Sequence, residues 1–214
     1  MILFPPVESA DEDGFLCWGG DLEPETLRAA YTGGIFPWPM RGQPLLWFAP
    51  PRRALLFFDE FHVSRSLKKL LRQTWQVRFD TDFRGVMTAC ARSPRPGQRG
   101  TWITRPMIEA YSRLYQLGHA HSVEIYLDGR LVGGLYGVSF GSFFAGESMF
   151  FHESGASKVA LFHLVQHLKS QGSTWLDCQM MTPLFESLGA REVPRDEFMA
   201  LLKDAVDGPA IHWL

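Results

Sequence analysis

The sequence predicts an α+β protein in which a mixed, largely antiparallel sheet is flanked by helices and preceded by a small, loop-rich N-terminal domain. Three consecutive strand patterns between residues 121 and 151 are separated by short turns, and a long helix, a further strand and two short helices follow. The first 51 residues, by contrast, are rich in proline and aromatic side chains. We therefore place a domain boundary near Pro51, between a small domain of residues 1–51 and a larger one of residues 52–214.

Residues 1–51 contain one helix pattern. Proline is tolerated in the first turn of a helix, so Asp21-Leu-Glu-Pro-Glu has the features of a helix start, and Gly33-Gly34 marks its end. Residues 35–40 and 44–51 contain several prolines, which disfavour both regular elements. We expect irregular structure in both stretches.

Strands and helices alternate after the boundary. Residues 54–58 and 75–79 have the apolar content and alternation of strands, whereas residues 64–72, 83–91 and 106–117 have the spacing of helices. Ser64 is expected to cap the first of these helices, and Gly118 to end the last. Residues 92–100 hold three arginines and two prolines and are expected to form a loop.

The predicted core begins with three strands. Residues 121–127 turn at Asp128-Gly129, a strong hairpin signal, into residues 130–140, and Gly141-Ser142 leads into a third strand over residues 143–151. Residues 156–170 have a helix pattern that ends before Gly172, and residues 175–179 read as a strand. Short helices are expected over residues 182–189 and 196–205.

Charge is unevenly distributed along the chain. The formal net charge is −2, but residues 52–113 carry 13 basic and 5 acidic side chains, whereas residues 1–51 and 114–214 each have a net charge of −5. A basic middle segment suits the docking of a polyanion such as a nucleic acid. A solvated surface with scattered counter-charges gives the same count, so both interpretations stay open.

Several classes of protein are disfavoured because their patterns are missing. No apolar run approaches the ~20 residues that span a bilayer, and the acidic first 14 residues are unlike a signal peptide, so we expect no membrane partner. Three widely separated cysteines favour a reducing cytoplasm over a disulfide framework. The sequence has no Walker loop, no dinucleotide-binding glycine fingerprint, no Gly-x-Ser-x-Gly motif and no cysteine set with zinc spacing. We expect a reaction without ATP, metal or other cofactor.

Polar side chains within two apolar strands predict a functional site. Glu147 and Met149 are two residues apart in one strand, so they share a face. Asp177 and Gln179 have the same spacing in another strand. A buried carboxylate is costly unless it is paired or hydrogen-bonded. Two carboxylates and an amide on core strands therefore suggest catalytic groups, and a structural hydrogen-bond network is the alternative.

The helix that precedes Asp177 carries a stripe of leucines. Leu161, Leu164 and Leu168 are three and four residues apart, a spacing that is typical of core packing. His163 and His167 have the i, i+4 spacing of a metal-binding pair. No glutamate-flanked zinc motif surrounds them, so we expect no metal site there.

The order strand, strand, strand, helix, strand, helix resembles the core of the acetyltransferase-like (GNAT) superfamily. Its members hold an acyl donor where neighbouring strands splay apart. Those that use acetyl-CoA begin the central helix with Arg/Gln-x-x-Gly-x-Gly/Ala, whose backbone N–H groups bind the pyrophosphate. Here residues 152–157 read His-Glu-Ser-Gly-Ala-Ser, with the wrong charge at Glu153 and without the second glycine. The resemblance implies an acyl-transfer scaffold that lacks the CoA signature.

Ten short motifs occur along nearly the whole chain. They are Gly19-Gly20-Asp21-Leu22, Gly34-Ile-Phe-Pro-Trp38, Gly100-Thr-Trp-Ile-Thr-Arg105, Glu109-Ala-Tyr111, Gly118-His-Ala-His-Ser122, Gly133-Gly134-Leu-Tyr-Gly137, Gly146-Glu-Ser-Met-Phe150, Ala156-Ser-Lys158, Asp177-Cys-Gln179 and Ser187-Leu-Gly-Ala190. In this order they resemble the leucyl/phenylalanyl-tRNA–protein transferase family. The resemblance implies a two-domain enzyme that moves Leu or Phe, and Met less readily, from Leu-tRNA or Phe-tRNA to proteins that begin with Arg or Lys. The product would enter the bacterial N-end-rule route of protein degradation.

The resemblance also implies roles for individual residues. The positions that match the family's catalytic groups are Asp177, Gln179 and Glu147. The positions expected near the 3′-terminal adenosine of the tRNA are Trp38, Trp102 and Tyr111. The positions that match the aminoacyl pocket are Leu135, Met149, Leu161, Leu164, Leu168 and Leu176. Leu164 and Leu168 stand where aromatic residues are expected, so the pocket should be roomier or differently shaped. Leu176 has the opposite strand parity to Asp177.

The basic middle segment is expected to contact tRNA phosphates, which position a nucleic acid but carry little sequence information. The expected contacts are Arg65, Lys68, Lys69, Arg72, Arg92, Arg95 and Arg99.

The expected reaction converts an ester into an amide and runs downhill without nucleotide hydrolysis. The attacking α-amino group has a pKa of about 7.7–8.0, so a useful fraction is neutral at cellular pH. Positioning and stabilisation of the oxyanion should supply most of the rate. Asp177 is expected to orient Gln179 or the amine, and Gln179 to contact the amine or the carbonyl. Whether Asp177 removes the proton, or hydroxyl groups of the tRNA relay it, stays open.

Two kinds of alternative function remain. One is another acyltransferase on this scaffold, which would use CoA or build peptidoglycan bridges from aminoacyl-tRNA. The missing CoA loop disfavours the first, and the lack of a second acyltransferase-like domain disfavours the other. The second kind is a non-catalytic tRNA-binding module, which would leave Glu147, Asp177 and Gln179 unexplained.

Overall fold

The structure, a computed structural model, describes residues 3–40, 42–94 and 101–213. Its helices are α1 (Pro24–Thr32), α2 (Arg65–Leu70), α3 (Phe83–Arg92), α4 (Arg105–Gln116), α5 (Ala156–Ser170), α6 (Pro183–Ser187) and α7 (Arg195–Val206). Its strands are β1 (Phe15–Trp18), β2 (Phe36–Trp38), β3 (Leu46–Phe48), β4 (Arg52–Phe57), β5 (Gln76–Phe79), β6 (Ala120–Leu127), β7 (Arg130–Phe140), β8 (Phe143–Phe151), β9 (Trp175–Gln179) and β10 (Arg191–Pro194). None of the helices in these ranges is both long and apolar enough to cross a membrane.

The larger sheet has seven strands in the order β10-β4-β9-β8-β7-β6-β5. Every neighbouring pair is antiparallel except β8 and β9, which run parallel. A parallel pair needs a crossover connection, and α5 supplies it. The prediction of a mixed, largely antiparallel sheet flanked by helices is confirmed.

The N-terminal residues form a second sheet, which was not predicted. Its order is β1-β3-β2, so β2 lies at an edge. Pro37 lies in the middle of β2, and an edge strand tolerates a proline because one side of it needs no ladder hydrogen bond. The prediction of irregular structure over residues 35–40 and 44–51 is therefore wrong for residues 36–38 and 46–48.

Most of the other predicted elements are confirmed within one or two residues of their ends. Ser64 caps α2, because its Oγ accepts a hydrogen bond from the backbone N–H of Leu67. β10 was not predicted, since it is a short edge strand that ends in Pro194 and buries only Val193.

Helices cover both faces of the large sheet, and the small sheet packs on one of these two faces. One apolar cluster joins α1, α3, α4 and α7 to the small sheet, and a second joins α2 and α5 to the opposite face. In the first cluster Leu27 and Trp47 lie together with Leu55, Tyr111 and Phe198. The two sheets thus share one core. The predicted boundary near Pro51 falls between β3 and β4, and the division into two domains stays a prediction.

Candidate active site

A cavity opens where β8 and β9 separate. The two strands pair at Ala145 opposite Asp177, and beyond this position a cavity of about 310 Å³ lies between them. Its walls include side chains from the apolar clusters on both faces of the sheet. In β8 the register with β7 shifts between residues 146 and 148, so Glu147 is the extra residue of a β-bulge. Bulges are frequent beside active sites because they redirect a side chain.

The apolar part of the cavity contains most of the predicted pocket residues. Five of them line it, namely Leu135, Met149, Leu161, Leu164 and Leu176. Leu168 is fully buried but does not line the cavity. It lies seven residues after Leu161 on α5, which is about 10 Å further along the helix axis. The wall at and before α6 was not predicted; it contains Met180, Thr182, Leu184 and Phe185.

The polar part of the cavity is built around the Glu147 carboxyl group. Oε1 accepts hydrogen bonds from the Tyr31 hydroxyl at 2.7 Å and from Gln179 Nε2 at 2.7 Å. Tyr111 is hydrogen-bonded to Oε2 at 3.3 Å and also to the Tyr31 hydroxyl. The predicted juxtaposition of Glu147 and Gln179 is therefore present. Tyr31, near the end of α1, was missed because nothing in its local sequence distinguishes it from a core tyrosine.

The pKa of Glu147 is raised from 4.5 to about 7. Burial disfavours the carboxylate most strongly, and the charge of Asp177 adds to this effect. The hydrogen bonds from Tyr31, Gln179 and Tyr111 oppose the shift because they stabilise the charged form. Burial and the nearby carboxylate also raise the pKa values of both tyrosines well above 10, so these hydroxyls remain donors. The site thus holds a carboxyl group that titrates near neutral pH.

Gln179 has an unusual backbone conformation. Its φ angle is +62°, in the left-handed region that a residue with a side chain seldom occupies. Such a conformation costs on the order of 1–2 kcal/mol and persists only where the surroundings hold it. A hydrogen bond from the Gln179 backbone N–H to Asp177 Oδ1, at 2.7 Å, holds it here.

Asp177 occupies a different place from the one expected. Its carboxylate does not line the cavity but forms a fully buried ion pair with Arg53, whose Nη2 lies 2.7 Å from Oδ2. Asp177 thus contacts Gln179, as one of its two expected roles requires, but Arg53 and the Gln179 backbone N–H bind its oxygens and it does not line the cavity. Arg53 was missed because the strand was predicted to begin at residue 54, whereas it begins at Arg52.

Two partly exposed tryptophans line the cavity, and the part of the wall that they form is called the cavity mouth below. Trp38 and Trp102 both line it, and their rings stack with centroids 5.6 Å apart and an angle of 18° between the planes. Each is only partly buried and can offer a ring to a further planar group. Tyr111, which was expected beside them, is instead fully buried and bound to Glu147.

The predicted basic contacts that the structure describes lie on or just after two helices. Four exposed side chains, Arg65, Lys68, Lys69 and Arg72, are on or just after α2. Arg92 is exposed at the end of α3. The two helices pack against opposite faces of the large sheet. Arg95 and Arg99 lie outside the described residues.

Within residues 3–40, 42–94 and 101–213, no group of three or more His, Cys, Asp or Glu side chains is arranged to hold a metal ion. The His167 ring packs against two aromatic rings, those of Phe79 and Trp213, and each pair of ring centroids is 5.0 Å apart.

The cavity, with its apolar walls, its carboxyl–amide pair and its position between separating strands, has the features of an enzyme active site. Two family models match the chain: leucyl/phenylalanyl-tRNA protein transferase over residues 55–203, and the N-terminal domain of the same transferase over residues 20–51. The chain belongs to the leucyl/phenylalanyl-tRNA–protein transferase family and is an aminoacyltransferase.

The alignments with similar proteins cover nearly the whole chain. The leucyl/phenylalanyl-tRNA–protein transferase of Dechloromonas aromatica is 56% identical over 99% of this chain and 92% of its own length. That of Burkholderia multivorans is 52% identical over 98% of this chain and 87% of its own length. Among solved structures, the C-terminal domain of a putative lysylphosphatidylglycerol synthetase from Agrobacterium fabrum is 12% identical. The match covers 86% of this chain and 70% of the solved chain, with a TM-score of 0.45.

The raised pKa of Glu147 predicts a pH-dependent stability. Between pH 4.5 and about 7 the folded state keeps a proton that the unfolded state releases, so the free energy of unfolding falls as the pH rises through this window. The decrease should be at most on the order of 3 kcal/mol. The variant Glu147→Gln has no titrating group at this position, so its stability should lack this pH dependence. We expect the difference in unfolding free energy between the variant and the unmodified protein, measured with urea at several pH values, to grow across this window. A constant difference would contradict the assignment.

Proposed function

We propose that this protein transfers Leu or Phe, and Met less readily, from aminoacyl-tRNA to the N-terminal α-amino group of proteins that begin with Arg or Lys. The observation that carries the proposal is the apolar cavity, whose lining includes the hydrogen-bonded Glu147 and Gln179 and the partly exposed Trp38 and Trp102. In this proposal the reaction takes place in the cytoplasm, and its product enters the N-end-rule route of protein degradation.

The apolar cavity suits the side chain of the transferred amino acid. A volume of about 310 Å³ lies at the small end of ligand pockets and leaves room for a leucine or phenylalanine side chain. Leu161, Leu164 and Leu176 supply apolar contacts without hydrogen-bonding groups, so Met is discriminated only weakly. A side chain branched at Cβ would meet the walls near the carbonyl group. The cavity thus selects by shape.

The stacked tryptophans suit the other end of the donor. Stacking on an aromatic ring favours any nucleobase, and the 3′-terminal adenosine carries the aminoacyl ester. With the base against Trp38 or Trp102, the ester bond lies between these rings and the Gln179–Glu147 pair. Exposed Arg65, Lys68 and Lys69 on α2 are available for phosphates of the acceptor stem.

Glu147 and Gln179 act on the reacting groups. The acceptor nitrogen attacks the ester carbonyl carbon, an amide bond forms, and the bond to the ribose oxygen breaks. Gln179 donates its amide N–H to Glu147, and its amide oxygen can accept a hydrogen bond from the incoming amine. Glu147, with a pKa of about 7, is suited to take up the amine proton, which finally passes to the ribose oxygen. Asp177 has no such role in this scheme, because Arg53 occupies its carboxylate.

Incubation of the protein with labelled Leu-tRNA and an Arg-starting peptide tests the proposal. We expect labelled peptide, no label after RNase treatment, and no effect of added acetyl-CoA. A matched peptide that begins with Asp should remain unlabelled. Binding of Leu-tRNA without any labelled peptide would favour the tRNA-binding module instead.

The size of the cavity predicts a change in donor preference. Leu164→Phe narrows the cavity, so we expect kcat/KM for Phe-tRNA to fall about tenfold more than kcat/KM for Leu-tRNA. Leu168→Phe is the matched control, because Leu168 is buried on the same helix but outside the cavity. The ratio of the two donors should not change in the control. Equal losses for both donors in Leu164→Phe would exclude the cavity as the aminoacyl site.

Ionisation of Glu147 predicts a pH-dependent rate. The acceptor amine titrates in the same range, but the ratio of unmodified to Glu147→Gln activity cancels its contribution. If the carboxylate is the active form, this ratio of kcat/KM rises by about tenfold between pH 6 and pH 8. A ratio that is independent of pH would leave Glu147 without a role in proton transfer.

A further inference from the structure

A buried arginine lies at the junction between the two sheets. Arg53 binds Asp177 through two N–H groups, with Nε 2.9 Å from Oδ1 and Nη2 2.7 Å from Oδ2. Its guanidinium also lies between the rings of Phe36 and Phe198, 4.7 Å and 4.6 Å from their centroids. Nη1 donates to the Gly34 carbonyl oxygen at 3.3 Å. All these contacts are made by a side chain that is only 2% exposed.

Stability alone does not explain this ion pair. Removing two charges from water offsets most of their mutual attraction, and a well-packed apolar pair often serves a core equally well. Leu55 and Leu56, which follow on the same strand, are apolar and fully buried. An apolar residue would therefore be expected at position 53 if the position served packing alone.

Two residues that contact Arg53 each lie two positions before a residue that lines the cavity. Phe36 lies two residues before Trp38 on β2, and Asp177 lies two residues before Gln179 on β9. Asp177 in turn accepts the hydrogen bond from the Gln179 backbone N–H. Arg53 thus contacts the strand that carries an aromatic ring of the cavity mouth and the strand that carries the amide inside the cavity.

We propose that Arg53 is a positioning residue for acyl transfer, which sets the place of the Gln179 amide relative to Trp38 by holding Asp177 and Phe36 together. This inference rests on the proposed function, because it takes Trp38 as a contact of the donor adenosine and Gln179 as a contact of the reacting groups. Asp177 then acts through the backbone of Gln179. The planar guanidinium is required, since it alone combines two parallel hydrogen bonds with stacking between two rings.

Arg53→Lys tests the inference, because it keeps the charge but loses the second parallel hydrogen bond and the stacking. In the transfer of labelled Leu to an Arg-starting peptide we expect kcat to fall by about tenfold or more. The KM for Leu-tRNA should stay within about twofold, since the aromatic rings themselves are unchanged. Arg52→Lys is the matched control: Arg52 is the neighbouring residue on β4, its pair with Glu192 is exposed, and its variant should have unchanged kcat.

A second variant is needed in case Arg53→Lys does not fold. The double variant Arg53→Met, Asp177→Asn leaves no unpaired buried charge and keeps a side-chain oxygen for the Gln179 N–H. We expect a cooperative thermal transition, a reduced kcat and little change in the KM for Leu-tRNA. An unchanged kcat in either folded variant overturns the inference. So does a rate that falls only in proportion to the folded fraction, or a failure of both variants to fold, because each indicates a purely structural role. Absence of transfer by the unmodified protein would instead overturn the proposed function.

Discussion

The separation of β8 from β9 beyond Ala145 and Asp177 removes ladder hydrogen bonds from the middle of a buried sheet. Backbone N–H groups left without partners in such a place are costly, so other groups must replace the missing strand. The Gln179 N–H turns to the Asp177 carboxylate, and a bulge in the pairing of β8 with β7 changes the direction of the Glu147 side chain. These two local features place a carboxyl group and an amide at the gap between β8 and β9.

The polar end of the cavity is a network in which each member depends on the others. Glu147 is placed where burial disfavours its charge, and the hydroxyl groups of Tyr31 and Tyr111 together with the Gln179 amide restore part of the lost solvation. Burial remains the largest influence, so the carboxyl pKa settles at about 7. A group that loses and gains a proton near neutral pH suits proton transfer far better than an ordinary glutamate does.

The small N-terminal sheet belongs to the same packing unit as the sheet that holds the cavity. Its Trp47 is 1% exposed and shares an apolar cluster with Phe198 of α7 and Tyr111 of α4. Tyr31 of α1 reaches Glu147 directly. The N-terminal residues therefore contribute to the site twice, through the Trp38 ring on β2 and through the Tyr31 hydroxyl group on α1. The core that these elements share with the larger sheet holds the two contributions in place.

The sequence by itself determined most of the strands and helices after residue 51 and their order along the chain, because alternation, turn residues and capping residues act over a few neighbouring positions. It also predicted that Glu147 and Gln179 belong to one site, since polar residues are rare within apolar core strands. Only the tertiary structure decided that Asp177 pairs with Arg53 rather than facing the cavity, that Tyr111 lies behind Glu147, and that Leu168 lies beyond the cavity. It also decided that residues 36–38 and 46–48 form strands. These outcomes depend on partners that are far away along the chain, 124 residues in the case of Arg53 and Asp177, and local patterns contain no information about such partners.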